Sequence, residues 1–303
     1  MIAIINKIKN ILNLSEQLEL NSKSIIYNNR VDLLNYICHS SKEVGIIPEK
    51  YCDVEIIVSL TTYGKRLHDV YLTIESIMQQ SRKANRIVLW LSEELKEEQL
   101  PMTILSQRKR GLEIHFCKDI KSYKKLIPSL IKFPDDVIIT VDDDVLYDYD
   151  MLDKLVSSYF VNPNYIYYNR GHKIKFISDK HIEEYNNWEW NSISLEASPL
   201  NFPTGVGGIL YPPKCFNEEV FNEEVFFDIC MFADDVWFKA MALLNGTQSK
   251  KVYTRNIKGE EYIENPNEQD LGLGSVNNLL KQNDVQIKAI FDRYNIYEFF
   301  NKI

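Results

Sequence analysis

The fold class is decided by the stretch Asp135-Asp136-Val137-Ile138-Ile139-Thr140-Val141-Asp142-Asp143-Asp144-Val145-Leu146. Its centre is an uninterrupted apolar run, which is typical of a strand in a parallel sheet buried on both faces. The run ends in three consecutive aspartates, and in open α/β sheets ligands bind just beyond the carboxyl ends of such strands. Because three adjacent carboxylates repel one another, we expect a cation or strong hydrogen-bond donors beside them. A hard divalent cation with oxygen ligands, Mg²⁺ or Mn²⁺, is the simplest candidate.

Three further strands are predicted before this one. Each is a short apolar run followed by a helical or charged segment, an alternation that favours βαβ units and a parallel sheet. They are expected at Val54–Leu60, Arg86–Leu91 and Leu112–Phe116. After a helix near 149–160 come short aromatic strands, among them Tyr165–Tyr168 and Ile209–Tyr211. The sequence therefore predicts an α/β fold, a Rossmann-like, mostly parallel sheet with flanking helices.

Changes in composition divide the chain into three parts. Residues 1–50 have the character of an N-terminal helical segment, 51–260 that of the main domain, and 261–303 that of a C-terminal helical segment. Within the domain, residues 51–150 have the pattern of a nucleotide-binding half. Residues 151–260, with their aromatic strands and loops, have that of a substrate-facing half.

The start of the chain, residues 1–14, fits one amphipathic helix. Its apolar residues Ile4, Ile5, Ile8, Ile11 and Leu12 share a face. Packing on the domain or on a partner is one interpretation of this face, and peripheral contact with a membrane is the other. No run of about 18 apolar residues is present, so no membrane-spanning helix is predicted.

Composition excludes several classes of protein. With 303 residues, 45% of them hydrophobic, the chain can bury a large core. It carries 35 basic against 43 acidic residues and no basic tract, so nucleic acid is not an expected partner. The five cysteines are widely spaced, without a CxxC pair, which indicates neither a disulfide framework nor a zinc site. Reduced thiols in a cytoplasmic protein are the expectation.

The aspartate triplet can form a metal site by simple geometry. In an extended segment alternate side chains share a face, so we expect Asp142 and Asp144 to point together and Asp143 to point away. Two carboxylates on one face can hold a metal whose other positions go to water and phosphate oxygens. A solvated acidic turn before the next helix is the alternative.

Three segments, taken in order, resemble a bacterial GT-A fold glycosyltransferase of the family 2-like kind that contains a DxD motif. They are Ile56-Ile57-Val58-Ser59-Leu60-Thr61-Thr62-Tyr63, Asp142-Asp143-Asp144 and Ala233-Asp234-Asp235-Val236-Trp237. The resemblance covers residues 53 to 260. It implies Mn²⁺ or Mg²⁺ as cofactor, and inverting transfer of a sugar from a nucleotide-sugar donor, expected to be a UDP-sugar, to a saccharide or glycolipid acceptor. The implied setting is surface polysaccharide or lipopolysaccharide synthesis at the inner face of the cell membrane.

The resemblance also assigns roles to individual residues. It implies that Thr61, Thr62 and Tyr63, with Arg66 close by, hold the nucleotide. Asp142 approaches the ribose or the metal, with Asp143 beside it in the donor site, and Asp144 binds the metal that bridges the diphosphate. Asp235 stands where inverting members keep the base that takes the proton of the acceptor hydroxyl. This chain has Asp234-Asp235 where Glu-Asp is commoner, and both residues could instead complement a helix dipole.

Other candidate residues keep two interpretations. Gly207 and Gly208, in the loop Gly205-Val206-Gly207-Gly208, allow a backbone to approach a sugar or diphosphate closely, or simply form a tight turn. Trp188 and Trp190 alternate, so they could face a sugar ring together or pack in the interior. Lys124 and Lys125 could contact phosphate, but a solvated helix face is the favoured interpretation. Trp237 is expected in the core.

Two other functional classes stay open. A phosphatase of the haloacid dehalogenase type also places DxD after an apolar strand, but usually on the first strand and with Thr or Val where this chain has Leu146. A non-catalytic carbohydrate-binding protein would be supported if Asp235 did not face the aspartate triplet.

Overall fold

A computed structural model describes residues 2–178, 181–256, 259–264 and 282–300, with the backbone alone for 2–13 and 16. The strands are β1 (Ile56–Thr61), β2 (Arg86–Ser92), β3 (Leu112–Cys117), β4 (Val137–Thr140), β5 (Val145–Tyr147), β6 (Ile166–Tyr168), β7 (Gly171–Lys173), β8 (Phe176–Ser178), β9 (His181–Ile182), β10 (Asn201–Pro203), β11 (Ile209–Tyr211), β12 (Ser249–Lys251) and β13 (Tyr262–Glu264). The helices are α1 (Ile2–Ser40), α2 (Val70–Met78), α3 (Met102–Arg108), α4 (Ile127–Lys132), α5 (Met151–Val161), α6 (Glu223–Ile229), α7 (Asp234–Leu244), α8 (Gln282–Tyr294) and α9 (Tyr297–Phe300).

Seven strands form one sheet in the order β12-β6-β11-β4-β1-β2-β3. The four strands predicted from the first half of the sequence, β1 to β4, pair in parallel, with Ser59 opposite Thr140 where β1 meets β4. β11 lies antiparallel between β4 and β6, and β12 pairs in parallel with β6. The prediction of an α/β fold with a mostly parallel sheet and flanking helices is confirmed.

Both faces of the central strands are buried, as the continuous apolar runs require. Alternate residues of β1 point to opposite sides. Ile56, Val58 and Leu60 pack with α2 and α5. On the other side, Ile57 belongs to a core that includes Trp237 of α7 and residues of α8. Trp237 is fully buried, so its expected place in the core is confirmed.

The N-terminal segment forms one helix of 39 residues, α1. Its second half packs through Tyr27, Val31 and Leu34 against Leu72 of α2 and Leu146. Residues 2–14 belong to the same helix, but the side chains of residues 2–13 are outside the described part, so membrane contact stays a prediction. Within the described residues, no helix has the length and apolar character needed to cross a membrane.

The segment after residue 260 is helical only in part. It begins with β13, which pairs antiparallel with β5. The described helices of this segment, which was predicted to be helical, are α8 and α9. Residues 265–281 and 301–303 lie outside the described part. Because α8 packs on α7 through Ile287 and Ile290, this segment supports the helix that carries Asp234 and Asp235.

Candidate active site

The candidate residues gather at the carboxyl edge of the sheet. β1 and β4 are parallel neighbours, so the residues after β1 and the aspartate triplet after β4 lie side by side. A single-turn helix, Gly64–His68, follows β1 and carries Arg66. Another, Lys121–Lys125, follows β3. Helix α7 begins at Asp234 and brings Asp234 and Asp235 to the same edge.

Two cationic side chains neutralise part of the aspartate triplet. Arg66 contacts Asp143 at 3.0 Å and Asp144 at 2.9 Å. The ammonium of Lys125 contacts Asp142 at 2.9 Å. The chain bends at residues 143 and 144. Asp143 and Asp144 share one guanidinium, while Asp142 contacts Lys125. Asp143 is buried and both its neighbours are partly exposed, and the expectation that Asp142 and Asp144 point together stays a prediction.

Burial and mutual repulsion make these carboxylates weaker acids. Burial, with the charge of Asp142 in addition, raises the pKa of Asp144 to about 7 against the opposing effect of Arg66. Burial likewise raises the pKa of Asp143 above its ordinary value, again opposed by Arg66. One oxygen of Asp143, Oδ2, is buried without a hydrogen-bond partner among the described residues. The triplet thus retains capacity for a further positive charge.

The interpretation of Lys124 and Lys125 as a solvated helix face is wrong. Lys124 is 3% exposed and Lys125 is 7% exposed. Lys124 pairs with Asp119, and Lys125 contacts Asp234 at 3.1 Å as well as Asp142. Burial lowers the pKa of Lys125, but Asp142 and the Asp234–Asp235 pair outweigh it and leave that pKa well above the ordinary value. Sequence reasoning missed Lys125 because only its place after the third strand hinted at this edge.

Asp235 is held from one side. Its Oδ2 accepts a hydrogen bond of 3.0 Å from the backbone N–H of Gly205. Its Oδ1 is buried and has no hydrogen-bond partner among the described residues. Burial raises the pKa of Asp235 to about 7, Asp234 adds to this effect, and Lys125 opposes it. A buried carboxylate with a pKa near neutrality and one free oxygen has the properties of a general base.

Gly205 marks the point where these groups converge. A Cβ atom built on Gly205 would lie 2.8 Å from Nζ of Lys125, 3.3 Å from Oδ1 of Asp235 and 3.4 Å from Oδ1 of Asp142. The free oxygen of Asp235 and a carboxylate oxygen of the triplet therefore border one position beside the glycine. Asp235 faces the aspartate triplet. A non-catalytic carbohydrate-binding protein would have been supported by the opposite arrangement.

Gly207 and Gly208 have structural reasons to be glycines. A Cβ on Gly207 would lie 2.9 Å from the backbone nitrogen of Arg170. Gly208 has a φ of +84°, which side chains rarely adopt. Asn169 donates a hydrogen bond to the carbonyl of Gly207 at 2.9 Å. Tight packing thus explains Gly207 and the positive φ explains Gly208, and donor contact through them stays a prediction.

The three residues after β1 occupy different environments. The hydroxyl of Thr61 donates to the carbonyl of Trp90 at 2.8 Å and so ties β1 to β2. Thr62 is buried, whereas Tyr63 is 60% exposed. The guanidinium of Arg66 lies 5.8 Å from the centre of the Tyr63 ring. Of the three, Tyr63 is therefore the residue best placed to meet a ligand from solvent.

Trp188, Trp190, Tyr185 and His172 form an aromatic cluster in the second half of the chain. Trp190 is 41% exposed and its ring lies 4.4 Å from that of His172. Tyr185 contacts both Trp190 and Trp188, while Trp188 itself is buried. Burial raises the pKa of Tyr185, and the charge of Asp235 adds to the shift. Trp188 and Trp190 do not face a ligand together, because of the two only Trp190 has a ring exposed to solvent.

A divalent metal fits the chemistry of this edge, although in the described part of the chain no three acidic, histidine or cysteine residues are gathered in the manner of a protein-only metal site. Among the residues that the structure describes, five carboxylates (Asp142, Asp143, Asp144, Asp234 and Asp235) lie beside two cations that contact or act on them, Arg66 and Lys125. Asp142 and Asp144 supply the hard oxygen ligands that Mg²⁺ and Mn²⁺ prefer. Two carboxylates suit a metal whose remaining ligands come from a bound phosphate and water.

Comparison with known proteins gives only distant likenesses. No family model matches the chain, and no curated protein matches it. Among solved structures, it is similar to a mannosyltransferase from Pyrobaculum calidifontis in complex with GDP-Man and Mn²⁺, at 12% identity and a TM-score of 0.41, over 80% of this chain and 66% of that one. It is also similar to an inositol-1-phosphate CTP transferase from T. maritima, at 10% identity and a TM-score of 0.43, over 76% of this chain and 96% of that one. Because identities and TM-scores are both low, we assign no residue or activity of this chain from either neighbour.

Proposed function

We propose that this protein is a metal-dependent glycosyltransferase that moves a sugar from a nucleotide-diphosphate sugar to a hydroxyl of a saccharide or lipid-linked acceptor. The observation that carries the proposal is the convergence beside Gly205. There the free oxygen of Asp235 and an oxygen of Asp142 border the same position. A transfer reaction needs such an arrangement, because the group that activates the acceptor must stand next to the group that holds the donor.

The donor lies along the edge between β1 and β4 in this proposal. Tyr63, exposed beside Arg66, contacts the base, with Thr61 and Thr62 beneath it. Asp142 and Asp144 hold Mn²⁺ or Mg²⁺, which when bound stabilises negative charge on the departing nucleoside diphosphate. Arg66 adds positive charge on the same side. The loop with Gly207 and Gly208 lets its backbone approach the sugar.

Asp235 acts as the general base. The acceptor hydroxyl approaches Asp235 on the side of Gly205, donates a hydrogen bond to the free Oδ1 of Asp235, and gives up its proton to that carboxylate. The acceptor oxygen then attacks the anomeric carbon while the bond from that carbon to the diphosphate oxygen breaks. Attack from the side opposite the leaving group inverts the configuration. The exposed ring of Trp190 offers a surface on which an acceptor sugar can stack.

The setting we propose is the synthesis of a surface polysaccharide or lipopolysaccharide, with a UDP-sugar as donor and the reaction on the cytoplasmic side. The support for it is the sequence resemblance together with the amphipathic start of α1. Deletion of residues 1–14 should reduce binding of the protein to liposomes. Unchanged binding would contradict a membrane role for this segment.

The test is an assay of the purified full-length protein with Mn²⁺ and a panel of UDP-, GDP- and other nucleotide sugars. We expect release of nucleoside diphosphate from one donor, by slow hydrolysis or by transfer to added saccharides, and complete loss of this activity in EDTA. Simple phosphate esters serve as the control substrates. Their hydrolysis without any binding of nucleotide sugars would overturn the proposal in favour of a phosphatase.

A further inference from the structure

Lys125 joins the two acidic segments of the site. Its ammonium contacts Asp142, after β4, at 2.9 Å and Asp234, at the start of α7, at 3.1 Å. It is 7% exposed, so these contacts are little screened by water. Through this one side chain, the end of the site that holds the donor is tied to the end that carries the base.

The backbone of Lys125 is itself fixed to the centre of the sheet. Its carbonyl accepts a hydrogen bond of 2.6 Å from the hydroxyl of Ser59 in β1. The hydroxyls of Ser59 and Ser129 are 2.8 Å apart, and the indole N–H of Trp90 donates to Ser129 at 2.7 Å. Ser59 and Ser129 are fully buried. The ammonium therefore projects from a backbone that is held firmly against the sheet, and not from a mobile turn.

The neighbouring Lys124 shows that burial alone does not create this arrangement. It is as buried as Lys125 and lies in the same single-turn helix, yet it pairs with Asp119, away from both acidic segments. An ion pair of that kind supports only its own turn. Lys125, by contrast, lies 2.8 Å from the position that a Cβ on Gly205 would take, at the point where Asp142 and Asp235 converge.

We propose that Lys125 is a positioning residue, whose ammonium sets the place of Asp142 and of the Asp234–Asp235 pair relative to each other before a donor binds. This inference rests on the proposed function. It has two consequences. Removing the ammonium releases Asp235 from its alignment with the donor, which slows the transfer step more than it weakens donor binding. It also leaves Asp142 without its cation, so that Mn²⁺ alone binds more tightly.

The experiment compares Lys125→Met and Lys125→Arg with Lys124→Met as the matched control. Met keeps the length and apolar character of the buried stem in both lysine positions. Thermal unfolding of each variant establishes that it folds. Mn²⁺ binding without a donor is followed by electron paramagnetic resonance, and kcat and KM for the donor are measured separately.

We expect Lys125→Met to lower kcat by about 100-fold, the effect of a small misplacement of reacting groups, while KM for the donor changes less than about threefold. We expect its affinity for Mn²⁺ to rise a few-fold, Lys125→Arg to recover part of kcat, and Lys124→Met to match the wild type. If Lys125→Met and Lys124→Met agree in kcat and in Mn²⁺ affinity, the inference is overturned. If Lys125→Met does not fold, the same comparison with Lys125→Arg decides, because a longer, differently shaped cation must still disturb kcat and Mn²⁺ affinity if Lys125 positions the carboxylates.

The Mn²⁺ measurement separates this inference from the proposed function. If the wild-type protein turns over no nucleotide sugar, the proposed function is overturned. The inferred competition between Lys125 and the metal for Asp142 is still tested in that case, because it requires no substrate.

Discussion

The carboxylate of Asp235 is anchored by Gly205: its Oδ2 accepts the backbone N–H of that glycine at 3.0 Å, while Oδ1 stays buried and without a hydrogen-bond partner among the described residues. One oxygen is thus used to fix the side chain, and the other is left for chemistry. The loop that contains Gly205 therefore has a role that its glycine content alone does not reveal.

Asp235→Asn should abolish transfer while leaving donor binding intact. The amide keeps the size of the side chain but cannot accept a proton, and general base catalysis contributes about 10²–10⁴-fold. We expect a loss of kcat in this range with an unchanged Kd for the donor, measured by calorimetry with Mn²⁺ present. Asp228→Asn, which changes an exposed carboxylate of α6, is the control. Near-normal turnover by Asp235→Asn would show that the base lies elsewhere.

The rate should fall in acid with a midpoint near the pKa of Asp235, which burial raises to about 7. Below that pH the base is protonated, so kcat/KM should drop about tenfold per pH unit. The free energy of unfolding should change with pH in the opposite direction to the rate. Between the ordinary carboxyl pKa of about 4 and about 7, the folded state holds a proton that the unfolded state has lost, so the free energy of unfolding decreases as pH rises. An acid limb near pH 4, or the same stability slope in Asp235→Asn, would contradict the assignment.

Arg66 and Asp144 should have opposite effects on metal binding. Arg66 pairs with Asp144 at 2.9 Å, so Arg66→Met should free that carboxylate and tighten binding of Mn²⁺ alone by about three- to tenfold. Asp144→Asn should weaken it and should also weaken Mn²⁺-dependent donor binding. Both affinities can be measured by electron paramagnetic resonance. A parallel change in the two variants would mean that Asp144 does not bind the metal.

Arg110 and Glu75 form a buried ion pair that should dominate local stability. Arg110 donates to both oxygens of Glu75, at 2.7 and 2.9 Å, and both side chains are buried. Arg110→Leu leaves an uncompensated carboxylate in the interior, which costs about 3–5 kcal/mol. Chemical denaturation measures this loss. Arg108→Leu, which breaks an exposed pair with Glu97, should cost less than about 1 kcal/mol. Equal losses in the two variants would contradict the role of burial.

Lys239→Met should stabilise the protein at neutral pH. Lys239 is buried in α7, has no hydrogen-bond partner among the described residues, and its pKa is lowered by burial to about 7. Above that pH the folded protein holds the amine neutral, while the unfolded chain keeps its proton up to the ordinary pKa near 10.5. The wild type should therefore gain stability relative to Lys239→Met as pH rises from 7 towards 10, by about 1.4 kcal/mol per pH unit. A difference that is constant with pH would show that the amine stays charged.

Hydrophobic periodicity and the succession of strands and helices along the chain could be predicted, because they depend on neighbours in the chain. The apolar runs before Thr61 and before Asp142 became adjacent parallel strands within one or two residues of the expected limits. Residues that follow two such strands must share an edge, whatever else the fold contains. The ion pairs of the aspartate triplet could not be predicted, because they depend on contacts with Arg66 and Lys125 that the local pattern does not express.

The α/β class, the burial of the central strands and the location of Asp142, Asp144 and Asp235 at the ends of elements follow from the sequence alone, because hydrophobic period and the limits of helices and strands are local properties. The pairing of cations with carboxylates follows only from the tertiary structure. The local sequence does not distinguish Lys125 from its neighbour Lys124. Yet Lys125 lies between Asp142 and Asp234, whereas Lys124 pairs with Asp119. That difference arises from packing between segments far apart in the chain, because a buried charge is unfavourable unless it is paired.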